Sequence, residues 1–356
     1  MQSNILLYGA NGYTGELIAR YAGEYHLQPV LAGRNKEAVG QLAQRLNLPY
    51  RIINLDDNVT LKKALADVKV VIHAAGPFKN TAKQMIEACL ETGTHYTDIN
   101  GDISVFEIIK SYDAAAKNAG IMLMPGTGFD VVPTDCMALF LKNKLPDATH
   151  LKIAFASPGG NVSHGTAITM AGKLGEGGMV RENGQILKKP LGHKGMWVDF
   201  LTPDGEKKLF VMTIPWGDIS TAYHTTGIPN TETYTGMKPA VYRMLKFQFM
   251  FNWLLRTSWL RNFVIKKINQ RPAGPEDDIR EKTKSLIWAE ANNKKGERVS
   301  ARMYAPDGYT ITAVSSLLIA RKIVMGEFKP GYQTPAGVYG ENLVMEIPGV
   351  HREIQG

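Results

Sequence analysis

The stretch "LYGANGYTGELI" (Leu7–Ile18) carries three glycines, Gly9, Gly12 and Gly15, spaced three residues apart. An apolar run precedes the glycines and a segment of helical periodicity follows them, so the sequence predicts a strand, a tight turn and a helix. In dinucleotide-binding folds such a turn lets the backbone approach a pyrophosphate, which the helix N-terminus also attracts. Because the spacing differs from the usual G-x-G-x-x-G, a purely structural turn is the alternative.

The alternation of short apolar runs and longer amphipathic segments continues over residues 1–147. It predicts an α/β fold, a doubly wound parallel sheet of the Rossmann type with helices on both faces. The predicted strands are Asn4–Tyr8, Pro29–Ala32, Tyr50–Ile53, Val68–His73, His95–Ile99 and Ile121–Met124. The predicted helices are Glu16–Tyr25, Lys36–Leu46, Val59–Ala66, Ala82–Thr92 and Ile103–Ala119.

Beyond residue 147, turn-forming sequences join the strand-like runs. They are TPDG (Thr202–Gly205), NNKKGE (Asn292–Glu297) and APDG (Ala305–Gly308), all typical of hairpins. Residues 148–330 are therefore predicted to form a second α+β domain with a mixed or antiparallel sheet, for substrate binding and dimerisation. Residues 331–356 form a C-terminal segment, and a return to the Rossmann domain is one option for it.

Composition and charge narrow the class of protein. The chain has 356 residues, 44% of them hydrophobic, which suits two globular domains. It shows no apolar run long enough to span a membrane and no leader with a cleavage site, and Cys89 and Cys136 are its only cysteines. We expect a cytoplasmic protein with two buried thiols and no metal.

The net charge of +8 equals the eight basic residues between Glu232 and Glu276, a stretch with no acidic residue. The rest of the chain is neutral overall, so we expect no nucleic-acid partner.

Within that basic stretch, "KFQFMFNWLLRTSWLRNFVIKKI" (Lys246–Ile268) is rich in aromatic residues. As a helix it would have one narrow polar stripe of Gln248, Asn252 and Arg256, so it requires burial. The alternatives are a core or homodimer helix, a peripheral membrane contact, and the docking surface of an acidic carrier protein.

The second predicted strand ends in LAGRN (Leu31–Asn35), where NAD-binding proteins usually carry an acidic residue. Arg34 at this position favours a 2′-phosphate and therefore NADP, with a solvated surface arginine as the alternative. Asp56 is a candidate for the adenine or a helix cap, and the small residues that follow His73 leave room for the nicotinamide half. The predicted cofactor-binding residues are Gly9, Asn11, Gly12, Tyr13, Thr14, Gly15, Gly33, Arg34, Asn35, Asp56, Ala74, Ala75, Gly76, Pro77 and Phe78.

Candidate substrate-binding or catalytic residues occur in two regions. His95, Asp98 and Asp130 are expected near the carboxyl edge of the parallel sheet, where they contact substrate or fix loops. The glycine-rich stretch Gly159–Gly172 leads into a predicted helix, so His164 and Thr166 near its start are candidates to hold a carboxylate or thioester oxygen. A plain helix cap is the alternative.

Together these motifs resemble the saccharopine dehydrogenase-like oxidoreductases, closest to the trans-acting enoyl reductases and related saccharopine dehydrogenase-like proteins. The motifs are YGANGYTG, LAGRN, VIHAAGPF, HYTDINGD and PGTGFDVVPTD, followed by GDISTAYHTTGIPNTETY, DGYTITA and GYQTPAGVYG. The resemblance implies an NADP-binding Rossmann domain and a second domain that covers the nicotinamide.

From these features we predict an NADPH-dependent oxidoreductase that reduces a C=C or C=O bond of a lipid-like or acyl-thioester substrate. The alternatives are a saccharopine-type imine reductase or amino-acid dehydrogenase, and a non-catalytic NADP-binding protein associated with membranes or lipids.

Overall fold

Strands and helices alternate along the first part of the chain in a computed structural model that describes residues 4–160, 162–172, 175–250, 252–255, 257–270 and 272–355. The strands are β1 (Ile5–Tyr8), β2 (Val30–Gly33), β3 (Tyr50–Ile52), β4 (Val70–His73), β5 (His95–Asp98), β6 (Met122–Met124), β7 (His150–Ala156), β8 (Gly178–Glu182), β9 (Gln185–Lys189), β10 (Gly195–Thr202), β11 (Gly205–Thr213), β12 (Asn230–Gly236), β13 (Ser285–Asn292), β14 (Arg298–Ala305), β15 (Gly331–Tyr332) and β16 (His351–Gln355).

The helices are α1 (Tyr13–Tyr21), α2 (Lys36–Leu46), α3 (Asn58–Leu65), α4 (Phe78–Thr92), α5 (Ile103–Lys110), α6 (Asp113–Asn118), α7 (Val132–Lys144), α8 (His164–Gly172), α9 (Asp218–Thr226), α10 (Pro239–Leu245), α11 (Asn252–Leu255), α12 (Ser258–Ile268), α13 (Asp277–Lys282), α14 (Gly308–Val324) and α15 (Pro335–Tyr339). Short 3-10 helices lie at Ala22–Tyr25, Gln248–Met250 and Leu343–Glu346.

The elements group into two units. The first comprises residues 1–132 and 308–343, and the second comprises residues 133–307 and 344–356. This division differs from the boundaries predicted at 147 and 330, because α14 belongs to the first unit and α7 almost entirely to the second. Of the C-terminal segment, β15 joins the first sheet and β16 the second.

The first unit is a parallel sheet in the order β15-β6-β5-β4-β1-β2-β3. Each of its strand pairs is parallel. Because β1 lies between β2 and β4, successive strands are added on one side of β1 up to β3 and on its other side from β4 onwards. This is the Rossmann strand order, and the carboxyl edge beside β1 is where such sheets bind ligands. The predicted Rossmann fold is confirmed.

Local side-chain hydrogen bonds set the ends of several helices. Asn35 caps α2 by accepting a bond from the amide of Ala38 at 3.1 Å, and Asp57 does the same for α3. The prediction of one helix over Ile103–Ala119 is wrong, because it divides into α5 and α6. Between them the Ser111 hydroxyl donates to the carbonyl of Ile108 at 2.6 Å, a local bond that competes with continued helix.

The second unit is a mixed sheet in the order β10-β11-β12-β7-β13-β14-β16, with the β8–β9 hairpin attached to β12. Among the described strands of this second sheet only the β12–β7 pair is parallel, so the predicted α+β domain with a mixed sheet is confirmed. The predicted hairpins at Thr202–Gly205 and Asn292–Glu297 are present. The one predicted at Ala305–Gly308 is wrong, because Gly308 starts α14, a helix buried on nearly every side.

Candidate functional site

The glycine turn between β1 and α1 is closed by main-chain contacts that leave no space for side chains. Gly9 has a φ of +86°, and its amide donates to the carbonyl of Ala32 at 2.8 Å. A Cβ on Gly9 would lie 2.7 Å from the amide nitrogen of Ala75, and one on Gly15 would lie 2.2 Å from the carbonyl oxygen of Gly9. The two glycines therefore allow β1, α1 and the loop after β4 to approach each other.

The ends of β2 and β3 place two charged residues beside this turn. The phenol of Tyr8, the last residue of β1, has its pKa raised by burial, while the charge of Arg34 lowers that pKa and the charge of Asp56 raises it. Both charged residues are therefore close to the end of β1, and both are exposed. Asp57, rather than Asp56, caps α3.

Asn11 and Gly33 form a close contact between the glycine turn and the end of β2. A Cβ on Gly33 would lie 3.0 Å from Asn11 Oδ1. The predicted cofactor residues thus lie at the carboxyl ends of four neighbouring strands, β3, β2, β1 and β4. At each of these ends, one or more of the predicted residues are partly or fully exposed.

The loop after β4 is held at both ends. The amide of Ala74 donates to the carbonyl of Tyr8 at 2.7 Å, and the hydroxyl of Thr81 in α4 donates to the carbonyl of Ala75 at 2.8 Å. Gly76 and Pro77 follow the two anchored residues and are exposed, and α4 begins immediately afterwards at Phe78. The small residues of this loop therefore present backbone to solvent beside the glycine turn.

Behind this edge lies a buried chain of polar side chains. The Tyr96 hydroxyl donates to Asp98 Oδ2 at 2.7 Å, and His73 Nδ1 lies 3.3 Å from the same hydroxyl. Burial lowers the pKa of His73 to about 3 and raises that of Asp98 from 3.8 to about 6, against hydrogen bonds that favour its carboxylate. Folding therefore favours protonated Asp98, and this contribution to stability is lost as the pH rises through about 6.

Asp98 connects the loops after β5 and β6. Its Oδ1 accepts bonds from the amides of Asn100 and Gly126, at 3.0 and 2.9 Å. Asp130 lies against the same region, because a Cβ on Gly101 would lie 2.0 Å from Asp130 Oδ2. The structure therefore brings Asp98 and Asp130 into one loop cluster at the carboxyl edge, with Asp98 buried and Asp130 partly exposed.

The predicted position of His95 near this edge is wrong. It is the first residue of β5, at the amino end of the strand. Its Nδ1 accepts a bond from the amide of Met122 at 2.9 Å, and its ring packs on Phe328 with the centroids 4.1 Å apart. Its role is to join β5 to β6 and their neighbours.

Sequence reasoning assigned no role to α14, which also reaches this edge. The helix packs along α1, and Tyr309 in its first turn meets Tyr13 edge to face, with ring centroids 5.0 Å apart. Thr312 Oγ1 accepts a bond from the amide of Phe129 at 3.0 Å. Tyr309 and Thr312 both belong to the motif DGYTITA, but no spacing rule connects that motif to a glycine turn so far upstream in the sequence.

His164 and Thr166 lie in the second unit, at the start of α8. The Thr166 and Ser163 hydroxyls are 3.1 Å apart, and His164 Nε2 is 2.8 Å from Asn269 Oδ1. The Ser163–Thr166 contact is local, as in a helix cap, whereas His164 is paired with a residue far along the chain, at the end of α12.

The aromatic segment, defined here as residues 246–268, contradicts the prediction of one helix with a polar outer stripe. A 3-10 turn is followed by α11 and by α12, which starts after an extended Thr257. Gln248 is buried, and its side chain donates to the carbonyl of Leu191 at 2.7 Å. Of the other two stripe residues, Asn252 is partly exposed, whereas Arg256 lies outside the described residues.

Large aromatic side chains of this segment face solvent instead. Phe249, Trp253 and Trp259 are 74%, 69% and 70% exposed. The opposite face of α12 packs on α8 through Val264, Ile265 and Ile268. Exposed large apolar side chains grouped in one segment are typical of interaction sites.

Two further searches concern the described residues only. None of their helices is long and apolar enough to cross a membrane. No group of three or more His, Cys, Asp or Glu side chains among them could hold a metal ion.

The Rossmann sheet, the glycine turn and the basic residue after β2 define the first unit as a dinucleotide-binding domain. Residues 5–124 match the family model of the saccharopine dehydrogenase NADP-binding domain. The first unit is thus an NADP-binding domain, and the predicted resemblance is confirmed.

Two relatives of known sequence are similar to this chain over a comparable length. Saccharopine dehydrogenase-like oxidoreductase of Mus musculus is 25% identical over 162 residues, 40% of this chain and 38% of its own length. A protein of Mycobacterium tuberculosis assigned as a trans-acting enoyl reductase is 32% identical over 146 residues, 37% of this chain and 33% of its own length. These alignments thus span less than two fifths of either relative.

The structure of apo saccharopine dehydrogenase (L-Glu forming) from Saccharomyces cerevisiae superimposes with a TM-score of 0.69. That match covers 99% of this chain and 100% of the yeast chain at 12% identity, so it concerns the fold alone.

Proposed function

We propose that this protein is an NADPH-dependent oxidoreductase that reduces a C=C or C=O bond of a lipid-like or acyl-thioester substrate. The observation that carries the substrate class is the aromatic segment, which exposes large apolar side chains in a chain that also contains an NADP-binding domain. An amino-acid substrate of the saccharopine type would offer such a surface nothing to bind.

Residues of the first unit fit the cofactor. Gly9 and Gly15 allow the close packing of the turn, the exposed Gly12 leaves backbone open to a pyrophosphate, and Thr14 in the first turn of α1 adds a hydroxyl. Arg34 and the backbone after β2 would hold the 2′-phosphate, with Asp56 near the adenine.

The loop Ala74–Phe78 would support the nicotinamide half of the cofactor. When bound, NADPH supplies a hydride, and a side chain or water supplies the matching proton. Asp130, partly exposed at the carboxyl edge, is a candidate to contact substrate, whereas buried Asp98 positions the two loops around it.

Turnover tests this proposal. We expect NADPH absorbance to fall when the protein meets long-chain trans-2-enoyl thioesters, more slowly with short chains, and not with NADH in place of NADPH. A second arm supplies an amino acid together with a 2-oxo acid. Turnover in that arm alone would support imine reduction, and tight NADPH binding with no turnover in either arm would support a non-catalytic protein.

The charge around the aromatic segment favours an anionic lipid surface as its partner. Residues 233–275 contain eight basic residues and no acidic one. Lys246 Nζ lies 5.2 Å from the centre of the Tyr242 ring, and Lys267 Nζ lies 5.1 Å from that of Phe263. Exposed aromatic rings next to cations are typical of peripheral membrane contacts. An acidic carrier protein and a homodimer are the alternatives.

Vesicle flotation tests the membrane partner. The protein should float with phosphatidylcholine vesicles that contain phosphatidylserine, less with pure phosphatidylcholine, and less at high salt. Joint Trp253→Ser and Trp259→Ser substitution should reduce flotation at least about tenfold, since each exposed ring buries apolar area in the interface.

Trp197→Ser, at an exposed tryptophan on β10, serves as the matched control. Equal flotation of all three proteins, or none with either vesicle, would exclude the membrane partner. Light scattering on the same samples reveals a homodimer.

A further inference from the structure

Arg280 has a position unlike that of the other charged residues on its short helix. In α13, Asp277, Asp278, Glu281 and Lys282 are all exposed. Arg280 is 3% exposed, so its guanidinium is placed where a helix of this kind normally carries an apolar residue.

The buried guanidinium is only partly paired. Nη2 donates to Asp277 Oδ1 at 3.0 Å, and the Asp277 side chain is half exposed. Nε and Nη1 have no hydrogen-bond partner among the residues that the structure describes. Unpaired N–H groups on a buried cation are costly, and they persist in folded proteins where a ligand uses them.

The glycine-rich stretch Gly159–Gly172, in which the sequence predicted an anion site, contacts the residue that ends α13. Thr283, one turn after Arg280, lies against the glycine-rich loop, since a Cβ on Gly160 would be 3.3 Å from Thr283 Cγ2. The hydroxyl of Ser285, a little further along, is also buried and without a partner in the described part of the chain. His164 and Thr166, the residues predicted to act there, already have side-chain hydrogen-bond partners in Asn269 and Ser163.

We propose that Arg280 is the anion-binding residue of the second unit and that its Nε and Nη1 receive one carboxylate or phosphate group of a ligand. A guanidinium presents its N–H groups in a plane that matches these oxygens. The site itself is independent of the proposed function. Only the identification of the bound carboxylate or phosphate as part of the substrate rests on the proposed function.

Thermal unfolding of Arg280→Met tests the proposal, because methionine has similar length and no donors. Removing an unsatisfied buried cation should leave the melting temperature unchanged or raise it, whereas a structural arginine would lower it. Inorganic phosphate or acetate, compared with chloride at equal ionic strength, should stabilise the unsubstituted protein, and the variant should bind the anion at least about tenfold more weakly.

The difference in anion response between the unsubstituted protein and Arg280→Met reports on this site alone, because both proteins retain the glycine turn and Arg34. NADPH titration should give equal affinities, so a failure of the cofactor assignment is recognised separately. Stabilisation by phosphate alone identifies a phosphate ligand, and stabilisation by both anions shows that a carboxylate suffices. An equal anion response in both proteins, or none in either, overturns the proposal.

If Arg280→Met does not fold, crystals of the unsubstituted protein soaked in selenate provide the test. Anomalous density within hydrogen-bond distance of Nε or Nη1 supports the site. Its absence there overturns it.

Discussion

Gly15→Ala is expected to abolish measurable NADPH binding and to lower the melting temperature of the protein. The added Cβ would lie 2.2 Å from the carbonyl oxygen of Gly9 and 2.9 Å from Ala10 Cα, and both are main-chain atoms that cannot rotate away. The turn cannot shift easily either, because the amides of Gly9 and Ala10 both donate to the carbonyl of Ala32. Overpacking of this kind costs about 1–3 kcal/mol or more.

Two other glycines make the experiment specific. Gly23→Ala, where no atom lies within 4 Å of the new Cβ, should leave both stability and NADPH affinity unchanged. Gly12→Ala should fold normally, since its φ of −79° suits alanine and its Cβ meets only the Gly9 carbonyl at 3.3 Å. It should still weaken NADPH binding if the pyrophosphate lies against it.

Fluorescence titration with NADPH and thermal unfolding measure the two effects separately. Unchanged NADPH affinity in Gly15→Ala would contradict the assignment of this turn to the cofactor.

The glycine turn was predictable because its determinants are local. A strand, three glycines and an amphipathic helix occupy Ile5–Tyr21, and β2 to β6 follow the same alternation. The packing of Tyr309 on Tyr13 was not predictable, since it depends on α14 lying along α1, and in the chain α14 follows all strands of the second sheet except β16. Periodicity in a sequence reveals an apolar face but not the element that covers it.

The aromatic segment shows where a helical pattern misleads. The predicted polar stripe assumed one continuous helix, but Thr257 interrupts it and Gln248 turns inward to the carbonyl of Leu191. A single hydrogen bond to a distant carbonyl thus reverses which face is buried, and no residue pattern within the segment encodes that bond.

Arg280 illustrates the same limit for a candidate site. The sequence around it, PEDDIREK, is typical of a solvated helix, whereas in the folded chain Arg280 is only 3% exposed.

Arg34→Ala is expected to weaken NADPH binding by about 10- to 100-fold and to leave NADH binding nearly unchanged, because a hydrogen bond between charged groups contributes about 1.5–3 kcal/mol. Arg34 is exposed after β2, so its removal should not alter the melting temperature. Only NADPH carries the 2′-phosphate, and the selectivity of the loss therefore identifies the contact.

Two neighbouring variants separate charge from geometry. Arg34→Lys keeps the charge without the planar fork and should give an intermediate NADPH affinity. Lys36→Ala removes an equally exposed cation from the first turn of α2, so it controls for a general loss of positive potential. If Arg34→Ala weakened NADPH and NADH equally, or if Lys36→Ala matched it, the guanidinium would not be the group that selects NADP. The preference would then reside in the backbone of the β2–α2 turn.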